Sequence, residues 1–514
     1  MEIHIESGGL KFLFEPETGF IRYIRFGDRE LVRAIYAAVR NEHWGTLAPE
    51  LVSLDEGDGF IRWTHHCREG DETWLVFDGE ITWDDTGVKY EVVGQAQRDY
   101  MTARTGLCLL HPRDQQGMPL TVIHADGSEV ASRFPEQIAP ETPFTEVTGF
   151  RFAEGDREVS ITFSGEVFET EDQRNWMDAS FKTYCWPQGR GWPYPVSVFE
   201  PIRHSAEVRV SGNPVPAELG YPESVDWTNA PEYELPQIGT VIRGAAPEIT
   251  QYVDTGMLIA DGDDVRFSRD LEAAEQSGLP ITLFLRQPWT PALKALTAGE
   301  PLITRIHIDL RFAAELPAVQ ADCSDLAILL ASGDNFTDLN RFGGNRSPFA
   351  GVAFAGNPQV HAFDTRSIGE TASTIVDQIH SADHLTDGLV VVGPLWLAAP
   401  GSSARPGSPD YESDLFAAWM LGAIISATQA GAYSIVIAET TGERGLFQSG
   451  QLTLAGDLIR MLAEHEGPVK IPPLPAPHLW MAMGLGDKEV LIQFGDEPSV
   501  IVSTTEPFVS EESA

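Results

Sequence analysis

The chain has 514 residues, with 35 Lys and Arg against 76 Asp and Glu, for a formal net charge of −41. That acidity repels nucleic acid and anionic membrane surfaces, so neither is an expected partner. No apolar run reaches about 18 residues, which excludes an expected membrane helix. The opening Met1-Glu2-Ile3-His4-Ile5-Glu6 lacks the basic and apolar regions of a signal peptide, so a cytoplasmic protein is expected. The length favours about two to four domains. Cys67, Cys108, Cys185 and Cys323 are far apart and form no Cys-x-x-Cys pair, so reduced thiols are expected. His65 and His66 stand beside Cys67, but adjacent strand residues point to opposite faces and do not chelate one ion. No metal or cofactor is expected.

From Met1 to about Pro236 short strands alternate with turn signals. Leu10 to Glu15, Gly59 to His65, Glu72 to Phe77, Val88 to Val93, Leu120 to His124 and Glu207 to Val210 are examples, with Asp58-Gly59, Asp78-Gly79 and Asp126-Gly127 at or near strand ends. A short helix is expected near Arg29 to Arg40. The whole predicts an N-terminal antiparallel β-sandwich over residues 1–236.

Tyr221 to Gln237 is rich in Pro, Glu and Asn and reads as a linker. Beyond it, buried apolar strands alternate with amphipathic helices. The strands are Thr255 to Ala260, Pro280 to Arg286, Ile303 to Leu310, Leu326 to Ala331, Gly351 to Ala355, Gly388 to Gly393 and Tyr433 to Ala438. Helical stretches include Phe267 to Ser277, Gly369 to Ala382, Glu412 to Ala430 and Thr453 to His465. About seven or eight such units predict a (β/α)8 TIM-like barrel over residues 237–470. No Gly-x-Gly-x-x-Gly follows a strand, which disfavours a dinucleotide-binding open sheet. After the Pro-rich Ile471 to His478, Leu479 to Leu485, Glu489 to Phe494 and Ser499 to Val502 predict a small C-terminal β domain over 471–514.

The stretch Gly165 to Tyr184 breaks the strand rhythm that Val159, Ile161 and Phe163 set. Acidic and basic residues crowd there among Phe168, Trp176, Phe181 and Tyr184. Charges need partners when buried, while rings cover sugar faces and charged groups bind hydroxyls. The same residues would also serve as a salt-bridged junction between domains. In a barrel, reactive groups sit on loops after the strands. Glu439, directly after Ile435 to Ala438, is the foremost catalytic candidate; its alternative role is to pair with Arg444 or cap a helix. His361 shares a face with Gln359 if that piece is extended, and an imidazole exchanges protons near neutrality. Asn335 and Arg444 are candidate oxyanion or hydroxyl donors. Asp334, Asp338 and Asp364 are weaker, because Asp favours loops for turn reasons alone. His307 and Asp309 alternate on one face of their strand. No Gly-x-Ser-x-Gly elbow and no His-Glu-x-x-His occurs.

With Glu171-Asp172-Gln173-Arg174-Asn175-Trp176-Met177-Asp178, Leu339-Asn340-Arg341, Asn357-Pro358-Gln359-Val360-His361 and Glu439-Thr440-Thr441-Gly442 in view, the chain resembles the D-apionate lactonases of bacterial apiose catabolism. It departs from that family's pattern at Met177 and Glu443, where a Thr and a Trp are usual. The resemblance implies a β domain, a barrel, a second β domain, and hydrolysis of a branched sugar lactone to its aldonate. The partner is then a small sugar lactone; assembly of identical subunits is compatible with it. Glu439 is expected as base or hydroxyl anchor and His361 as acid, with Asn335 and Arg444 as donors. Gln359 shares the His361 loop. Asp172, Arg174, Asn175, Trp176, Asp178 and Lys182 are expected to bind hydroxyls from the β domain. Two other readings compete: a retaining glycoside hydrolase with Glu439 as nucleophile, and a non-catalytic carbohydrate-binding scaffold.

Overall fold

A computed structural model describes residues 2–215, 225–297, 302–399, 410–473, 480–495 and 497–504. The first residues of the expected linker, 221–224, and the end of the expected C-terminal domain, 505–514, lie outside the described residues. The chain divides into two compact units, residues 1–173 with 180–220, and residues 174–179 with 221–514.

The first unit is built on a 16-stranded sheet whose pairings are antiparallel. Phe14 from an early strand packs on Trp63 at 4.8 Å, and Phe12 on Trp83 at 5.7 Å. Trp63 and Trp83 come from strands near the other end of the sheet order, so the sheet folds back over one core as a sandwich does. Residues Arg29–Arg40 form a strand, not the expected short helix. They pair on one side with Phe20–Phe26 and on the other with Arg104–Pro112, and this pairing overrides the helical preference of Leu, Arg and Ala.

In the second unit eight parallel strands close a barrel. They are Gln237–Val241, Thr255–Ala260, Ile281–Leu285, Ile303–Asp309, Ala327–Ser332, Gly351–Gly356, Leu389–Leu395 and Ser434–Thr441. Closure comes from the first strand, which pairs with both the second and the eighth. Met257, Ile259, Phe284, Leu329, Ala331 and Val436 meet in the barrel interior, the inward half of each alternating strand. The opening strand Gln237–Val241 starts at the last residue of the segment expected to be a linker; Ile238, Thr240 and Val241 are β-branched, but five residues interrupted by Gly239 are too few to read as a strand against that background. Glu439 therefore stands on the eighth barrel strand, where the sequence gives the seventh.

The helix Asp414–Gln429 is buried on nearly all sides. A small sheet of five strands adds Glu232–Tyr233, from before the barrel, to Val469–Lys470, Trp480–Leu485, Lys488–Gln493 and Ser499–Thr504. Among the described residues, no helix is long and apolar enough to cross a membrane.

Candidate active site

Glu439 lies inside the eighth barrel strand, not beyond it, and a bulge aims it. Gly239 of the first strand is opposite Val436, and Val241 is opposite Glu439. Two steps along one strand thus match three along the other, and the extra residue is absorbed at Ala438, whose φ is +56°. Such a bulge re-aims the following side chain. Without it, strict alternation from inward-facing Val436 would point Ala438 inward and Glu439 out.

The result is a cavity of about 330 Å³ at the C-terminal mouth of the barrel, lined by Arg243, Asp261, Arg286, Trp396, Glu439 and Arg444 with a few apolar neighbours. Arg243, Asp261, Arg286 and Trp396 stand just past strand ends and Glu439 near the end of one, rooted in the rigid sheet, while Arg266 reaches in from the helix Asp264–Ser277. Arg243 Nε donates to Glu439 Oε1 at 3.1 Å, and Nη1 of the same guanidinium reaches Asp270 at 2.7 Å. Arg286 bridges Asp309 at 3.2 Å and Asp334 at 2.9 Å. Asp261 is paired with Arg266. The Arg444 guanidinium lies 5.8 Å from the centre of the Trp396 ring, and no described carboxylate lies within ion-pair distance of it. Burial pushes the Glu439 carboxyl above its ordinary range, and the positive charges of Arg243 and Arg444 only partly offset that.

His361 follows the sixth barrel strand, at the same end of the barrel, but is not part of this lining. Its Nδ1 is 2.7 Å from Asp178 Oδ2, and its ring meets Trp176 edge-on at 5.6 Å. The Arg341 guanidinium sits 5.1 Å over Trp176, and Asn340 donates to Asn175 Oδ1 at 2.9 Å. The carboxylate fixes the tautomer and plane of the imidazole, leaving Nε2 for proton exchange. Gln359 donates to the Leu397 carbonyl at 2.8 Å, tying the His361 loop to the residue beside Trp396.

The remaining expected site residues are spread out. Arg174 is fully buried and pairs with Asp377, itself buried, at 3.4 Å, and its carbonyl accepts from Gln378. Asn335 caps the short helix Phe336–Asn340 with its backbone, while its Oδ1 is buried without a described partner. Asp172 and Lys182 belong to the first unit, where Asp172 accepts from the Ala139 amide at 3.0 Å. His307 is buried in the barrel beside Phe284, at 6.2 Å between rings, with neither nitrogen bonded to a described residue, and burial pushes it down to about 3. Arg243, Asp270, Arg286 and Trp396 were not singled out from the sequence. Arg243 stands two residues past a strand whose pattern was too short to read; Asp270 is hidden in a helix with other acids.

Family models for the N-terminal domain and for the TIM-barrel domain of D-apionate lactonase match residues 2–213 and 323–404, together more than half of the chain. The chain belongs to the D-apionate lactonase family. A curated D-apionate lactonase from Brucella anthropi is 31% identical over 250 residues, which is 46% of this chain and 41% of that protein. The chain thus spans under half the length of this relative. The matched ranges include Asp178 and His361, whereas Glu439 and Arg444 lie outside both. Solved structures give looser likenesses. A putative aldose 1-epimerase from Escherichia coli K12 is 10% identical over 41% of this chain and 99% of its own, at a TM-score of 0.30. A glycoside hydrolase family 97 enzyme from Pseudoalteromonas sp. strain K8 is 12% identical over 96% of this chain and 89% of its own, at 0.29. Likenesses this loose support no conclusion about chemistry.

Proposed function

We propose that this chain hydrolyses a branched sugar lactone of the D-apionolactone type to its aldonate at the C-terminal mouth of the barrel. The observation that carries the reading is Glu439: a mostly buried carboxyl whose proton is held above the ordinary range, set among guanidinium groups in a cavity sized for one sugar ring. Such a group is suited to take up and return a proton.

Lactone opening needs an activated water, donors for the tetrahedral oxyanion and a proton for the leaving alkoxide. In the proposed sequence the Glu439 carboxylate takes a proton from water as its oxygen bonds to the lactone carbonyl carbon. The electron pair of the carbonyl moves onto its oxygen, facing the uncommitted Arg444 guanidinium. Collapse re-forms the carbonyl and breaks the ring C–O bond. The departing alkoxide is protonated by Glu439, or by His361 if the open chain reaches the Asp178-held imidazole. Trp396 covers the apolar face of the ring, and Arg243 and Arg286 hold the carboxylates around it.

A pH-indicator assay on a panel of γ-lactones, run beside aryl glycosides, tests the reading. Acid release from a lactone supports it. Phenol release without acid supports the retaining glycosidase, whose second carboxylate would have to stand about 5–5.5 Å from Glu439. Neither signal supports a binding scaffold. Glu439→Gln is expected to cut lactone turnover by about 10² or more; a fall below roughly threefold ends its role as base.

A further inference from the structure

One face of the first unit carries ionisable groups that the fold leaves uncommitted. The strands Arg29–Arg40, Arg104–Pro112, Ser180–Cys185 and Phe168–Asp172 are neighbours in that order. Arg40 is opposite Arg104, Cys108 is opposite Tyr36 and Tyr184, and Lys182 is opposite Glu171. Directly opposed residues share a face, so these side chains gather on one surface of the sheet. The other surface turns Ile35, Val39, Leu107, Leu109 and Phe181 into the core.

Arg104 and Lys182 are only 4% and 3% exposed, yet neither forms an ion pair or a side-chain hydrogen bond with a described residue. Glu171 makes none either. Burial lowers the Lys182 ammonium, and the charge of Arg104 lowers it further. Isolated buried cations are costly and are normally paired. The nearby acid Glu169 is already occupied, accepting from Tyr184 at 2.6 Å and from the Gln188 amide at 2.6 Å. Rings flank the cations. The Arg104 guanidinium lies 3.4 Å from the Tyr184 ring centre and 5.4 Å from that of Trp44. Trp44 holds a φ of +67° and meets Trp192, half exposed, at 5.3 Å. A bulky residue in that conformation is strained, and such strain gathers at ligand clamps.

We propose that this face binds a polyhydroxylated carboxylate, a sugar acid. Its carboxylate would sit between Arg104 and Lys182, its hydroxyls would donate to Glu171, and its C–H face would lie on the Trp44–Trp192 pair. The charge count selects a monoanion: Arg104 and Lys182 against Glu171 leave one positive charge, with Arg40 and Glu169 cancelling. A neutral sugar leaves a cation unpaired. This assignment stands apart from the reaction proposed for the barrel.

Isothermal titration of the full chain with D-gluconate and with D-glucose tests it. Gluconate is expected to bind at least about tenfold more tightly than glucose. Lys182→Met keeps the aliphatic stem and removes an unpaired charge, so the variant should fold, as a thermal melt will verify. It is expected to lose about tenfold or more in gluconate affinity, whereas Glu439→Gln changes it less than about threefold. Absence of gluconate binding, equal binding of glucose, or an unchanged affinity in Lys182→Met overturns the proposal. Loss of lactone turnover in Glu439→Gln with gluconate binding intact separates this site from the barrel reading.

Discussion

Glu439 accepts a hydrogen bond from Arg243 at 3.1 Å, and yet its carboxyl is held above the ordinary range, because burial outweighs the guanidinium. Arg243→Gln removes the favourable charge and leaves the burial. The acid limb of the lactonase pH profile is then expected to move to higher pH. A limb that stays in place, or moves to lower pH, removes Glu439 as the titrating group.

The same shift sets a stability trade. The folded chain binds the Glu439 proton more tightly than the unfolded chain does, so the carboxylate's penalty is absent below the ordinary carboxylate range. It is fully present once pH exceeds the raised folded value. Glu439→Gln should therefore melt higher than the parent at pH 7 and no higher near pH 4. Melting curves at the two pH values settle the sign.

Ala438 pays for the bulge that turns Glu439 inward, since a Cβ at a φ of +56° is crowded. Ala438→Gly relieves the crowding but loosens the unfolded chain. The net expectation is a gain of about 0.5–1 kcal/mol in denaturant unfolding, with turnover retained. A loss of stability of similar size would mean that the crowding is not there.

Arg174 and Asp377 are both buried and paired. Arg174→Met takes the guanidinium away from a buried carboxylate and is expected to cost about 3–5 kcal/mol, while Arg174→Met with Asp377→Leu regains part of it. Urea unfolding of the three proteins checks this. A large rise in KM with stability unchanged would instead mark Arg174 as a substrate contact.

Asp178 and His361 should act as one unit if the imidazole exchanges a proton in turnover. Asp178→Asn and His361→Asn are each expected to lower kcat by about 10–10², and the double variant little further. Additive losses would separate the two residues.

Much of the fold is legible in one dimension. Alternation in residues 59–65 and 88–93 announces the antiparallel sheet, and apolar runs such as Ile435 to Ala438 spaced by helices announce the barrel, because period and run length follow from local geometry. The position of Glu439 and Arg444 near a strand end is equally local. The strand over Arg29–Arg40 was not legible, because pairing on both edges decided it against its own propensity. Nor was the first barrel strand, whose five residues are identified only by the two neighbours they join. Arg243 and Glu439 are 196 positions apart, and Asp178 and His361 are 183 apart. No periodicity reaches that far: barrel closure and a one-residue bulge bring the first pair together, and the docking of residues 174–179 into the second unit brings the second. Composition and local pattern determined which chemistry was available. Only strand register and chain packing decided which groups meet, because those depend on contacts between residues that the sequence keeps apart.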